Sequence, residues 1–176
     1  MDVKYFLYGY SQGDRCFSAV LLHGANLSNR DLSGIDLSRA DLSGANLNNA
    51  NLSRANLKYA NLAGADISHA DLSGAHLESV NLIGAVLNGA KLVGSNLTRA
   101  DLRTADLEGA DLRGANLTEA GINGANFRRV ELESACLEGV DLEGVDLEET
   151  DISQVLSRSE QEAAGVSREW VSWGAH

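Results

Sequence analysis

The sequence predicts an all-β solenoid, a chain wound into stacked coils around an apolar bore. Three observations predict it. The first is a period of five. If each pentapeptide is numbered by its central apolar residue, i, that position recurs every five residues from Phe17 to Ile152 without a slip, filled by 23 Leu, 3 Ile and 2 Phe over 28 repeats. Five is neither the 3.6 of an amphipathic helix nor the 2 of a regular strand. The second is alternation within the unit. Position i−2 holds 18 Ala, 5 Val, 2 Arg and one each of Ile, Ser and Thr, while i−1 is mostly Asp or Asn and i+1 is Ser, Thr or charged. Positions i−2 and i therefore face one way, and i−1 and i+1 the other, as on a short extended segment. The third is the corner. Position i+2 is often Gly, which tolerates the backbone angles a turn demands. A short extended segment followed by a corner, repeated, gives a coiling chain with alternating small and large apolar residues inside.

The units Ala40-Asp41-Leu42-Ser43-Gly44 and Ala115-Asn116-Leu117-Thr118-Glu119 resemble the A-(D/N)-L-x-x motif of the pentapeptide-repeat family, and the resemblance runs over 15–153. It implies a right-handed quadrilateral β-helix with four pentapeptides in each twenty-residue coil. The 28 repeats then make seven coils, a rod about 34 Å long at the spacing of neighbouring strands. Each buried leucine contributes about 1.5–3 kcal/mol. Backbone groups pair with the coils above and below, so unpaired edges are confined to the two ends.

Both ends carry capping signals. Residues 1–14 form an N-terminal capping helix: Val3, Phe6, Leu7 and Tyr10 lie on one helical face over 2–12, Asp2 caps its start and Gly13 its end. Residues 15–153 are the repeat. Residues 154–176 are a C-terminal cap and tail, in which Val155 and Leu156 close coil seven, Ser157 and Glu160 make a capping box, and Gly165 stops a short helix. Trp170 and Trp173 beyond it belong either to a tail that packs on the last coil or is partly disordered, or to a partner or dimer contact, since tryptophan is enriched at interfaces.

Two arginines break the small-residue rule at i−2, and both, Arg15 and Arg30, fall in coil one. An unpaired guanidinium buried mid-rod is very costly. At an open end its stem can bend out under the helix and reach a helix C-terminal carbonyl or Asp14. Arg30 is accordingly expected to orient the cap.

Residues twenty apart become stacked neighbours on the outer faces. The columns then pair Lys58 with Glu78, Arg99 with Glu119, Arg113 with Glu133 and Arg129 with Glu149. They also alternate Asp71, Lys91, Asp111 and Glu108, Arg128, Glu148. Exposed pairs of this kind are worth about 0–1 kcal/mol each, so their main use is register and solubility. Coil seven differs: Glu138, Asp141, Glu143, Asp146, Glu148, Glu149 and Asp151 make an acidic ring with no base among them. The ring either opposes end-to-end stacking or docks a basic partner. An apolar exception lies mid-rod, where Ile83 and Val86 flank one corner and Val93 points outward on another side; these are scattered exposed apolar residues or the contact for a partner that binds the shaft, at the Ile83 and Val86 corner first.

The net charge of −11 argues against direct nucleic-acid binding through phosphates and against an anionic membrane surface. No apolar run approaches the roughly 20 residues of a membrane span. The first residues do not read as a secretory signal, so a cytoplasmic protein is expected. Catalysis needs convergent groups. His69 and His76 lie on different sides, no histidine pairs with a nucleophile, and Cys16 and Cys136 share a column six coils apart, about 29 Å at strand spacing. No enzyme activity, cofactor or metal is expected.

The function expected is a non-catalytic protein-interaction or scaffold module, monomeric or weakly dimeric, presenting a rigid acidic rod to a protein partner. The density of A-(D/N)-L-S-G units resembles bacterial, particularly cyanobacterial, members of the family. The resemblance implies partners of two kinds. Some relatives modulate regulatory proteins in cell differentiation. Others are acidic β-helix dimers that bind DNA gyrase in place of DNA and protect it from inhibitors. DNA mimicry and a structural spacer are thus the alternatives.

Overall fold

The structure, a computed structural model, describes residues 3–155. Helix α1 (Val3–Ser11) comes first and Phe6 is its fully buried residue. It ends where Gln12, Gly13 and Asp14 turn back on it: Gln12 N–H donates to Tyr8 O, Gly13 N–H to Tyr10 O and Asp14 N–H to Gly9 O. Gly13 takes φ +99°, a left-handed angle suited to glycine at a helix end. Asp2, the expected start of the helix, lies outside the described residues.

From Cys16 onward the chain repeats one manoeuvre. The i−1 residue forms a parallel bridge with the residue twenty further on, as in Asp36 with Asn56 and Asp41 with Asn61. The central residue then opens a turn closed by the next small residue, as when Ala25 N–H donates to Leu22 O. The corner residue i+2 has positive φ throughout, from Ala19 to Glu149. Four corners separate each residue from its bridge partner, so every twenty-residue coil has four sides. Fourteen of these corners are not glycine. Each such residue in the left-handed region is strained by about 1–2 kcal/mol, which the ladder and the core must offset. Gly89 combines this angle with a close approach. Its φ is +63°, and an added Cβ would lie 2.7 Å from Nδ1 of His69 on the coil before.

Pairing is by isolated bridges, and no continuous strand forms among the described residues. The reason is the period: three residues run extended before two are spent on a turn. Inside, the i and i−2 side chains of coils two to six are buried almost without exception, in one continuous core. Coil seven is different. Val140, Leu142, Val145, Leu147 and Ile152 are only partly covered. A 3₁₀ turn (Ile152–Gln154) stands in place of a regular corner, with the Asp151 carboxylate accepting from Ser153 N–H at its start. The capping box at Ser157 and Glu160, the stop at Gly165, and Trp170 and Trp173 lie outside the described residues.

Candidate interaction surfaces

The outward i−1 positions are built from inside the repeat. Their side-chain oxygen accepts the N–H of i+1, as Asp31 does from Ser33 at 3.1 Å and Asp71 from Ser73 at 2.9 Å. This Asx turn presents the corner. It also explains the Asp/Asn preference that the alternation alone left without a reason. Asparagines then link coils: Asn61 Nδ2 donates to Asp41 Oδ1 at 3.3 Å, and Asn81 Nδ2 to Asn61 Oδ1 at 3.1 Å. Hydrogen bonds from the Ser33 backbone and side chain hold the Asp31 carboxyl below its ordinary value, and those from Ser43 do the same for Asp41. At Asp101 and Asp111 the depression comes first from the guanidinium two residues on, Arg103 and Arg113.

The ionic columns form in part. Lys58 meets Glu78 at 3.0 Å, Arg99 meets Glu119, and Arg128 meets Glu148. Two pairs differ from the column expectation. Arg113 turns to Asp111 on its own segment at 2.6 Å and to Glu131 at 3.1 Å, leaving Glu133 aside. Arg129 pairs with Glu108 rather than Glu149. An i+1 or i+2 arginine can reach the i−1 and i+1 columns beside it, so twenty-residue spacing alone does not choose its partner. Arg39 instead stacks over the Tyr59 ring, 5.7 Å from its centre.

At the N-terminal end Phe6 meets Phe17 edge-on with ring centres 4.8 Å apart, and Tyr10 Oη donates to Ser33 O at 3.0 Å. Val3, Leu7 and Tyr10 pack against the core as partly buried residues. The arginine expected to serve the cap is corrected here. Arg30 is exposed, its carbonyl accepts from Asn51 N–H in the ladder, and its side chain has no hydrogen bond or ion pair among the described residues. Arg15 occupies that role: its Nη1 donates to Tyr10 O at 3.0 Å and to Asp14 O at 2.9 Å, with the guanidinium 4.1 Å from the Tyr10 ring centre.

Of the mid-rod apolar residues, Ile83 is half-buried, while Val86 and Val93 are exposed. In coil seven Asp141, Glu143, Asp146, Glu148, Glu149 and Asp151 are exposed. Glu138 is not: it is 7 % exposed and so does not belong to an outward ring. Its neighbour Cys136 is buried too, 3.4 Å from Thr118 Oγ1. An open depression of about 400 Å³ is lined by Asp141, Leu142, Glu143, Leu147 and Ile152. Among the described residues no three His, Cys, Asp or Glu side chains are grouped to hold a metal, and no helix is long and apolar enough to cross a membrane.

One residue in this end escaped the sequence reading. Thr150 stands at i−2, and its hydroxyl accepts the Val130 N–H at 3.0 Å while donating to Phe127 O. It bridges a turn that closes directly on most other sides, as where Ala120 N–H donates to Leu117 O. Its one visible signal was being the sole threonine in the i−2 series.

The family model described as pentapeptide repeats matches residues 21–58, 60–99, 95–133, 105–148 and 125–155, in 8 copies. The chain belongs to the pentapeptide-repeat family. Among solved structures, this pentapeptide-repeat chain is similar to HetL from the cyanobacterium Nostoc sp. strain PCC 7120, a protein involved in heterocyst differentiation regulation. The two share 31% identity over 86% of this chain and 95% of that one, with a TM-score of 0.44. It is also similar to Rfr23 from the cyanobacterium Cyanothece 51142, at 29% identity over 82% of this chain and 99% of that one, with a TM-score of 0.57. QnrB1, a plasmid-mediated fluoroquinolone resistance protein, is 22% identical over 88% of this chain and 94% of that one, with a TM-score of 0.44. No curated protein matches the chain.

Proposed function

We propose that this pentapeptide-repeat protein is a non-catalytic interaction module, wound right-handed as its family implies, that docks a basic protein partner on the carboxylates of its last coil. The observation that carries the reading is coil seven itself. Two of its exposed acids, Asp141 and Glu143, line a partly uncovered apolar depression, and the coil itself contains no basic residue. Arg128 and Arg129 in the coil before are already engaged, with Glu148 and Glu108. Arg128 also reaches Asp146 at 3.6 Å, which leaves Asp141, Glu143 and Glu149 without an ion pair among the described residues. Excess charge beside apolar surface favours a partner of opposite sign and steers its approach.

DNA mimicry asks for acid along the whole rod. Residues 15–74 hold five acidic and five basic residues, and residues 75–154 hold fifteen acidic and six basic. The acid is concentrated at one end, which suits docking at that end. End-to-end spacer use is opposed by the same concentration, because like charges would meet.

The test is capture of interacting proteins from the native cell with the full chain and with a variant carrying Asp141→Lys, Glu143→Lys and Asp146→Lys. Loss of a basic partner from the variant, with retention by Ile83→Asp, is the expected result. Identical capture by wild type and triple variant refutes docking at coil seven. Loss with Ile83→Asp alone moves the site to the Ile83 and Val86 corner. Gyrase supercoiling, run beside it, is expected to be unchanged by the protein at micromolar concentration.

A further inference from the structure

Coil seven is held to coil six on two sides and released on the other two. Every earlier side carries three backbone bonds to the next coil. Leu112 N–H donates to Glu131 O, Gly114 N–H to Glu133 O and Glu131 N–H to Ala110 O, all between 2.9 and 3.1 Å. Between coils six and seven this set is complete where Leu117 and Glu119 donate to Cys136 and Glu138, and where Phe127 and Arg129 donate to Asp146 and Glu148. On the sides of Ile122 and of Leu132 it is missing, as are the bridges that would join Gly121 to Asp141 and Glu131 to Asp151. On the Leu132 side the cause is local. Thr150 inserts its hydroxyl into the preceding turn, and the 3₁₀ turn at Ile152–Gln154 replaces the extended segment that would have paired.

What remains there is a cleft of about 300 Å³, floored by Val130 and Leu132 and rimmed by charged side chains. Leu132 N–H, Ser134 N–H and Val130 C=O, the three groups that each earlier side uses for its neighbour, have no backbone partner among the described residues. They lie on three of the five residues from Val130 to Ser134. We propose that this edge takes an extended basic segment of a partner protein as an added strand, backbone to backbone. Main-chain bonds of this kind give affinity, and side chains at the rim give selectivity. The rim selects for positive charge. Its arginines are occupied, Arg113 by Asp111 and Glu131 and Arg129 by Glu108, whereas Glu133 and Glu149 have no ion pair among the described residues. An acidic strand meets these two carboxylates and is repelled.

This proposal rests on the interaction-module reading, but its test needs no native partner, so the two can fail separately. The probe is labelled acetyl-Lys-Val-Lys-Val-Lys-amide, added to the full chain and followed by anisotropy and amide hydrogen exchange. In the free protein the Leu132 and Ser134 amides should exchange about tenfold or more faster than those of Leu112 and Gly114, and slow by about tenfold when the peptide binds. The same peptide N-methylated on the backbone nitrogen of its central lysine, and the peptide with Glu in place of Lys, should give no protection. Glu133→Lys with Glu149→Lys should weaken binding about tenfold. If the two amides are already as protected in the free chain as their counterparts one coil back, the edge is covered and the proposal is overturned. Binding that leaves both amides unprotected, or that is equally tight to the double variant, overturns it too.

Discussion

Two hydroxyls at small-residue positions have opposite consequences. Ser95 is 1 % exposed, and its Oγ has no hydrogen-bond partner, in a column that holds Ala75 before it and Ala115 after it. A buried donor without a partner lowers stability by about 1–3 kcal/mol. Ser95→Ala removes the orphan and leaves the packing of the column unchanged. Stability should rise by about 1 kcal/mol, read as a higher urea midpoint at constant slope. Thr150 is the reverse case, because its hydroxyl satisfies both Val130 N–H and Phe127 O. Thr150→Val should lower stability by about 1–3 kcal/mol and speed exchange at Val130. An unchanged midpoint in Thr150→Val would show that the turn closes directly, as its counterparts do. Both residues were legible in the sequence as exceptions to alanine. Their signs were not, because a hydroxyl at i−2 is useful only where the next coil leaves a backbone group open.

Helix α1 closes one end of the bore, and its contacts can be ranked. Phe6 is fully buried against Phe17, so Phe6→Ala should cost about 3–5 kcal/mol, the usual price of an aromatic cavity. Arg15 lies across the end of the helix, where a cation favours the carbonyl-rich terminus, and donates to Tyr10 O. Arg15→Ala should therefore speed amide exchange across α1, and Arg30→Ala should not. Equal effects from the two would return Arg30 to the cap. The helix, its apolar face and its glycine stop were all legible from spacing. The choice between the arginines was not. Both occupy i−2 in coil one, and only the turn through Gln12, Gly13 and Asp14 decides which side of that coil the helix end reaches.

On the scale of the whole rod, neighbour-only contacts make stability a sum of coil and interface terms, so unequal coils should melt unequally. Acid acts on the paired aspartates. Asp31, Asp41, Asp101 and Asp111 have folded values depressed from 3.8. Their contribution is complete above that pH and is lost as pH falls through the lower folded values. Salt acts mainly on coil seven. Its exposed carboxylates face one another without a base in the coil, while its ladder is complete on only two sides. Raising ionic strength from about 0.01 to 0.15 M shortens the screening length from about 30 to 8 Å, which weakens that repulsion. The ion pairs of the middle coils lose a little attraction in the same change. Added salt should therefore slow exchange at the Phe127 and Arg129 amides, which donate to coil seven, and leave Leu42 and Gly44 unaltered. Exchange that slows equally in every coil would point to a general salt effect. Faster exchange at Phe127 and Arg129 would mean that attraction to Arg128 outweighs the repulsion within the last coil.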